Sequence, residues 1–253
     1  MYPDQPIDKW GNPILPNGTR LRGELFDDPS VQKVIAPVLS LFTNRVKYPR
    51  TFHLPWSPGA TDDDRVLPDT KCFEEKEVIV TVKMDGENST FYSDYVHARS
   101  LEYDPHPSRS WVKALHGQVG FNIPENWRIC GENIYAKHSI KYENLESYFQ
   151  LFSVWNDKNI CLSWDETKEW ASLLGLAVVP VLYRGIWDEK LIRDLYAPEY
   201  NGDACEGYVV RIADSFHYRA FRTSVGKYVR SGHVTTHGHW MRAKLEPNKL
   251  KGS

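Results

Sequence analysis

The sequence predicts an α+β fold of two antiparallel sheets with helices packed outside them. Three observations carry this expectation. Two β-branched runs, Val78-Ile79-Val80-Thr81-Val82 and Tyr208-Val209-Val210-Arg211-Ile212, read as strong strands. Between them lie shorter alternating segments separated by turn residues, and one helix announces itself through its capping residues.

Taken in order, residues 1 to about 70 are rich in Pro and Gly, including Trp10-Gly11-Asn12-Pro13 and Pro55-Trp56-Ser57-Pro58-Gly59, with one helix candidate at 31–42. They predict an irregular N-terminal extension packed on a core at 71–232. The run from Val78 stops at Gly86, a strand closing in a turn. Phe91-Tyr92 and Tyr95-Val96-His97-Ala98, separated by Ser93-Asp94, predict a hairpin, and 111–119 a short helix. Residues 128–135 and 148–155 alternate as strands, the second turning through Asn156-Asp157-Lys158-Asn159 into another at 160–162. Ser163 and Glu166 stand at capping-box spacing and Gly175 stops the helix, whose buried stripe is Trp170, Ala171, Leu173 and Leu174. Residues 177–183 predict one strand, in which Pro180 points to a sheet edge or a bulge. A helix at 188–195, the second strong strand at 206–212 and an alternation of aromatic and basic residues over 218–230 complete the series.

The 253 residues, 41% hydrophobic and 25% charged, suit one globular domain, alone or with an extension, and exclude disorder. Four cysteines spaced 31 to 58 residues apart form neither a CxxC pair nor a dense disulfide framework, and they suit a reducing cytoplasm. The N-terminus lacks a basic-then-apolar signal, and the most apolar stretch, 176–183, is too short to span a membrane. A formal charge of -2 neither demands nor excludes a nucleic-acid partner. Local charge separates, however. Asp62, Asp63, Asp64, Asp69, Glu74, Glu75 and Glu77 precede the first strong strand, whereas Arg219, Arg222, Lys227, Arg230, Arg242, Lys244, Lys249 and Lys251 crowd the C-terminal stretch. Phe216, Tyr218, Phe221, Tyr228 and Trp240 interleave with them, a composition that serves stacking and phosphate contact as well as an ordinary solvated face. Residues 233–253 read as a basic tail.

Specific chemistry begins at Lys83-Met84-Asp85-Gly86-Glu87-Asn88, directly after the hydrophobic strand. A lysine there leaves a rigid element for a glycine turn, which fixes its amine. With an ordinary pKa of about 10.4 it is protonated near neutrality and cannot attack, so desolvation or a second cation is expected to lower it. A nucleophilic Lys83 further requires another lysine, metal-binding carboxylates and an aromatic platform. Each is present. Glu132, Phe152, Glu206, Arg99 and Lys227 have structural counterparts when taken singly, as strand carboxylate, core aromatic, edge charge or solvated cation. Their joint order gives them meaning.

In that order the sequence resembles the covalent nucleotidyltransferase superfamily, most closely its ATP-dependent RNA ligases of the second, phage-type class, over roughly 78–230. Lys83-Met84-Asp85-Gly86 resembles motif I, whose lysine takes AMP from ATP. Arg99 is similar to the arginine that follows. Gly131-Glu132-Asn133 resembles motif III, whose glutamate engages the ribose. Phe152 resembles the adenine-stacking aromatic of motif IIIa, and Glu206-Gly207-Tyr208-Val209-Val210-Arg211 motif IV, whose glutamate works with a divalent metal. Val225-Gly226-Lys227-Tyr228-Val229-Arg230 resembles motif V, whose lysine contacts the α-phosphate.

The resemblance implies a nucleotidyltransferase (ATP-grasp-like ligase adenylation) domain using ATP and Mg²⁺ or Mn²⁺. Catalysis falls to Lys83, Lys227 and Glu206, metal binding to Glu206, and ATP binding also to Arg99, Glu132 and Phe152. The implied partner is RNA with 5′-phosphate and 3′-hydroxyl ends, with Arg219, Arg222 and Arg230 as candidate phosphate contacts. Two departures stand out. The family's Lys-x-Lys pair in motif V is Lys227-x-Val229 here, with Arg230 adjacent as substitute. Thr81 and Val82 occupy the place where relatives put an adenine-reading glutamate, which loosens the choice of ATP over GTP. Only about 20 residues follow Arg230, too few for the OB-fold domain of DNA ligases and capping enzymes. Those two activities and a non-catalytic RNA-binding module of the same fold are the alternatives. His233, His237 and His239 have no carboxylate or cysteine beside them and suit a loop or phosphate contact better than a metal site.

Overall fold

The computed structural model describes residues 45–99, 106–232 and 245–252. The helix expected at 31–42 and the three histidines lie outside the described residues.

The strong strand forms as expected: β2, Glu77–Val82, is buried at every position after Glu77, as the central strand of a covered sheet must be. Its sheet runs β1 (Phe52–His53), β14 (Val225–Val229), β12 (Gly207–Ile212), β2, β9 (Val181–Ile186). The second sheet runs β13 (Phe216–His217), β7 (Ile160–Cys161), β6 (Phe149–Trp155), β5 (Arg128–Asn133), β3 (Glu87–Phe91), β4 (Val96–Ala98), with β8 (Ala177–Val178) also on β6. A separate ribbon pairs β10 (Glu199–Tyr200) with β11 (Asp203–Ala204). Pairing is antiparallel except for β1 on β14 and β8 on β6, which are parallel.

Helices α1 (Ser110–Val119) and α2 (Trp164–Leu174) cover the outer face of the second sheet. Val112, Val119, Ala171 and Leu174 pack there with Phe91, Ile129, Phe149 and Leu151. The capping box of α2 is present in both directions, and Gly175 ends the helix in the left-handed conformation at φ 65°. Short α3 (Glu189–Arg193) places Ile192 against Val78, Val80, Tyr208 and Val210 on the outside of the first sheet. Among the described residues no helix is long and apolar enough to cross a membrane.

Two differences from expectation matter for the site. Residues 177–183 are not one strand: the chain leaves β8 in the second sheet, crosses at Pro180 and enters β9 at the edge of the first. Proline has no N–H to give to a ladder, but its carbonyl accepts from Val82 N–H at 2.9 Å, immediately before Lys83. Second, residues 45–70 contribute to the first sheet, since His53 pairs with Lys227, and Leu54 and Leu67 join the cluster of Val78, Val80, Tyr208 and Val210, packing over Gly226.

Candidate active site

The inner face of the first sheet is set by register. Thr81 lies opposite Val209, Val209 opposite Lys227 and Lys227 opposite His53. Lys83, two residues beyond Thr81 and anchored by its N–H to the Gly207 carbonyl at 2.9 Å, continues that face. The second sheet faces it with Asn88 and Glu132, which are cross-strand partners, and with Phe152 and Ser153 on β6.

A two-part cleft lies between. The inner chamber, about 130 Å³, is walled mainly by apolar side chains, among them Val82, Met84, Phe152, Trp164, Val179 and Val209. The outer part, about 510 Å³, is polar and carries Arg50, Asp64, Glu87, Arg99, Arg109 and His138. Tyr48, Thr51, Lys83, Asn88, Glu132 and Lys227 line both. An apolar slot opening into a cationic vestibule suits a flat base followed by phosphates.

The turn holding Lys83 is clamped. One Asp85 carboxylate oxygen accepts from Ser139 N–H at 2.8 Å, Ser139 Oγ at 2.8 Å and Ile140 N–H at 2.7 Å. Asp85 N–H donates to Tyr142 Oη at 2.9 Å. Gly86 is required by proximity, because a Cβ there would stand 2.4 Å from the Asn133 carbonyl oxygen. Asp85 and Gly86 thus shape the turn that carries Lys83.

Lys83 Nζ lies 2.5 Å from Glu206 Oε2, and the two side chains are 23% and 6% exposed. Burial alone would lower the lysine pKa, but Glu206, Glu132 and Asp85 outweigh it and raise the value above 10.5. This corrects the expectation of a lysine already stripped of its proton. It is Lys227 that is brought down, to about 8, by burial and then by the charge of Lys83. Burial, with Glu206 and Asp85 adding to it against Lys83, pushes Glu132 up to about 8.

Of the sequence-predicted residues, Lys83, Glu132 and Lys227 line both parts of the cleft, Phe152 the inner chamber and Arg99 the outer part. Glu206 reaches the site through Lys83. Phe152 meets Tyr48 edge-on at 5.2 Å. Arg219, Arg222 and Arg230 line neither cavity: Arg219 and Arg222 are exposed on the 3-10 turn before β14, and Arg230 follows β14.

Several lining residues carried no expected role. Among the described residues the buried Asn88 Oδ1 finds no hydrogen-bond partner, an acceptor awaiting a donor. Its signal was its place in the run begun by Lys83. Arg211, 5% exposed, donates to the carbonyls of Leu162 at 2.7 Å, Ile212 at 3.1 Å and Phe152 at 3.4 Å, and so pins the backbone under the aromatic. An arginine inside a hydrophobic strand was its signal. Tyr48, Arg50 and Asp64 come from the N-terminal segment: Arg50 belongs to the Trp56 region, for which a cap on the core and a substrate surface were equally open, Asp64 stood only in the acidic run before the first strong strand, and Tyr48 carried no signal.

Glu206, on Lys83 Nζ at the cleft, is a hard oxygen donor that could take part in holding a divalent cation. Among the described residues no group of three or more His, Cys, Asp or Glu side chains could hold an ion unaided. That donor set fits Mg²⁺ or Mn²⁺ completed by phosphate oxygens and water, as such ions are commonly bound.

A family model described as RNA ligase matches residues 76–229, more than half of the chain. No curated protein sequence matches significantly. Among solved structures, the apo form of a mutant Naegleria gruberi RNA ligase is similar at 19% identity, TM-score 0.49, over 87% of this chain and 72% of that one. Another mutant of that ligase, with ATP and Mn, is 18% identical with TM-score 0.47 over 84% and 71%. A putative ATP-dependent DNA ligase from Aquifex aeolicus is 21% identical with TM-score 0.41 over 62% and 44%.

Proposed function

The chain belongs to the RNA ligase family, and we propose that it is an ATP-dependent RNA ligase working through a lysyl-AMP intermediate on Lys83. The observation that carries this is the meeting of Lys83, Glu132, Phe152, Glu206 and Lys227 at one cleft from five separate strands or strand ends. The apolar chamber takes the adenine against Phe152, and Glu132 and Asn88 stand where the ribose leaves it. Glu132, protonated near neutrality, donates as well as accepts.

In the first step Lys83 Nζ attacks the α-phosphorus, a P–N bond forms, the bond to the β-phosphate oxygen breaks and pyrophosphate departs, the lysine proton going to solvent. Lys227 and Arg99 neutralise the charge that builds on the phosphates. A divalent cation held by Glu206 and the triphosphate would supply further neutralisation. Attack requires the contact between Glu206 and the Lys83 ammonium to loosen, because the paired ammonium keeps its proton. AMP then passes to the 5′-phosphate of RNA as the P–N bond breaks, and a 3′-hydroxyl attacks that phosphate and expels AMP.

Incubation with α-labelled ATP and Mg²⁺ or Mn²⁺ tests this. Label bound covalently to the wild type, absent in Lys83→Ala, and joining of 5′-phosphate to 3′-hydroxyl RNA ends are expected. An unlabelled wild type overturns it.

A further inference from the structure

We propose that Arg50, with Arg99 and Lys227, forms a binding site for a terminal phosphate group in the outer cleft, and that Asp64 holds this site while it is empty. The inference deepens the ligase reading, which it rests on only for the source of the phosphate: the 5′ end of an RNA strand or the β,γ-phosphates of the nucleotide.

The segment before the first strong strand delivers these groups. Because β1 lies parallel to β14 with His53 opposite Lys227, Arg50 stands three residues upstream at the cleft mouth, beside Tyr48 and Thr51. Arg50 Nη2 donates to the Asp63 carbonyl at 2.5 Å, which aims the guanidinium.

Asp64 uses its two oxygens differently. Oδ2 accepts from Thr61 N–H at 3.2 Å and Thr61 Oγ1 at 3.0 Å, within its own turn. Oδ1 faces three nitrogens on other segments: Arg50 Nη2 at 3.3 Å, His53 Nε2 at 3.4 Å and Lys227 Nζ at 3.7 Å. Charge-assisted hydrogen bonds run to about 2.7–2.9 Å, so all three contacts are loose. One oxygen stands in for a larger anion.

Elsewhere in the cleft, cations meet carboxylates at close range. Arg109 grips Glu87 at 2.5 and 2.8 Å, and Lys83 grips Glu206 at 2.5 Å. Among the described residues Asp64 is the only carboxylate in ion-pair reach of Arg50 or of Lys227, and Arg99 is exposed in the same vestibule. Among the described residues these three cations have one carboxylate between them in ion-pair reach, and that charge excess complements a dianionic phosphate monoester. A guanidinium fork matches phosphate oxygens better than an ammonium does. The segment's acidic composition concealed this, since its charge count points away from phosphate.

The test measures binding of inorganic pyrophosphate, and of matched oligoribonucleotides bearing a 5′-phosphate or a 5′-hydroxyl, to the full chain. Arg50→Ala is expected to weaken pyrophosphate, or to erase the preference for 5′-phosphate over 5′-hydroxyl, by tenfold or more, with partial rescue in Arg50→Lys. Loss confined to pyrophosphate assigns the site to the nucleotide. Loss confined to the 5′-phosphate strand assigns it to the RNA end. Asp64→Asn is expected to tighten the affected ligand, a gain that a misfolded protein cannot show. Arg50→Ala binding both ligands as the wild type does overturns the site, and weaker binding by Asp64→Asn overturns the placeholder. A wild type that binds pyrophosphate through Arg50 but takes no label from α-labelled ATP removes the ligase reading and leaves the phosphate site standing.

Discussion

A lysine resting 2.5 Å from a carboxylate is stored as ammonium, and Glu206 therefore acts on Lys83 in two opposed ways. In the proposed mechanism it restrains the amine before nucleotide binds and completes the charge balance during transfer. Glu206→Gln is accordingly expected to cut lysyl-AMP formation by about 10²–10³, the range for removing one preorganised electrostatic partner. The same variant should make Lys83 more reactive to an amine-acylating reagent near pH 7 without nucleotide. Peptide mapping of the acylated lysine checks this, and unchanged or lower acylation would refute the restraint. Lys227, at about 8, gives a second test. It is charged below that value and loses its proton above it, so its help to the phosphates fades as pH rises through 8, while Lys83 gains nucleophilicity. The kcat/KM for lysyl-AMP formation should therefore peak and fall on the alkaline side near 8. Lys227→Arg, whose guanidinium stays charged, should move that fall to higher pH. An alkaline limb unmoved in Lys227→Arg would exonerate Lys227. The residues that the cleft gathers, Lys83, Glu132, Phe152, Glu206 and Lys227, were legible from residue type and order. Their protonation was not, because it depends on Glu206 meeting Lys83 across 123 positions of chain, which only the register of β12 on β2 decides.

At the scale of elements, the site depends on how closely strands approach. Gly207 sits at φ 155°, and a Cβ there would lie 2.0 Å from the Tyr228 carbonyl oxygen. Its carbonyl holds Lys83 N–H, and its neighbour Glu206 holds Lys83 Nζ. Gly207→Ala should push β12 away from β14, at a cost of about 1–3 kcal/mol for the forced contact. In a chain of this size each kcal/mol lowers Tm by about 2–4 °C. The loss of lysyl-AMP formation should exceed what the unfolded fraction accounts for, since Glu206 and Lys83 move with the strand. Thermal melts beside single-turnover labelling separate the two, and a melt and labelling rate like the wild type's would refute the close-approach account. Strands and helices with strong local signals, β2, β12 and α2, were readable because β-branching and capping are local. Residues 177–183 misled for a physical reason: apolar periodicity reports burial, and both β8 and β9 are partly buried, but it says nothing about which sheet covers them. The crossing at Pro180 is a tertiary decision, and so is the parallel pairing of β1, two residues long.

In the described residues two main sheets close over a cleft, and closure leaves titrating groups that pull stability in opposite directions. On β4, burial and then the charges of Arg45 and Arg128, against the Ala98 carbonyl, hold His97 down to about 4. Unfolding frees it to titrate near 6.5. Between those values the unfolded chain binds a proton that the native one refuses, so this histidine makes stability rise with pH from 4 to 6.5. Glu132 has the reverse sign. At about 8 in the fold against 4.5 when free, it keeps a proton that the unfolded chain gives up, so it makes stability fall as pH rises from 4.5 to 8. Asp64, brought down to about 2 by Thr61, Lys227 and His53 against its burial, acts in a separate window. Its contribution is complete above 3.8 and is lost as pH falls through 2. From pH 4.5 to 6.5 the first two groups oppose each other, and their contributions, on the order of a few kcal/mol each, offset in part. Urea midpoints across pH should therefore be flatter in the wild type than in either variant. His97→Phe exposes the Glu132 term, and its stability relative to the wild type should increase as pH falls from 6.5 to 4. Glu132→Gln exposes the His97 term, and its relative stability should increase as pH rises from 4.5 to 8. Difference curves of the same sign in both variants would mean that the cleft does not bury Glu132 as the two facing sheets require, and the site built around Lys83 would need to be redrawn with the sheets further apart.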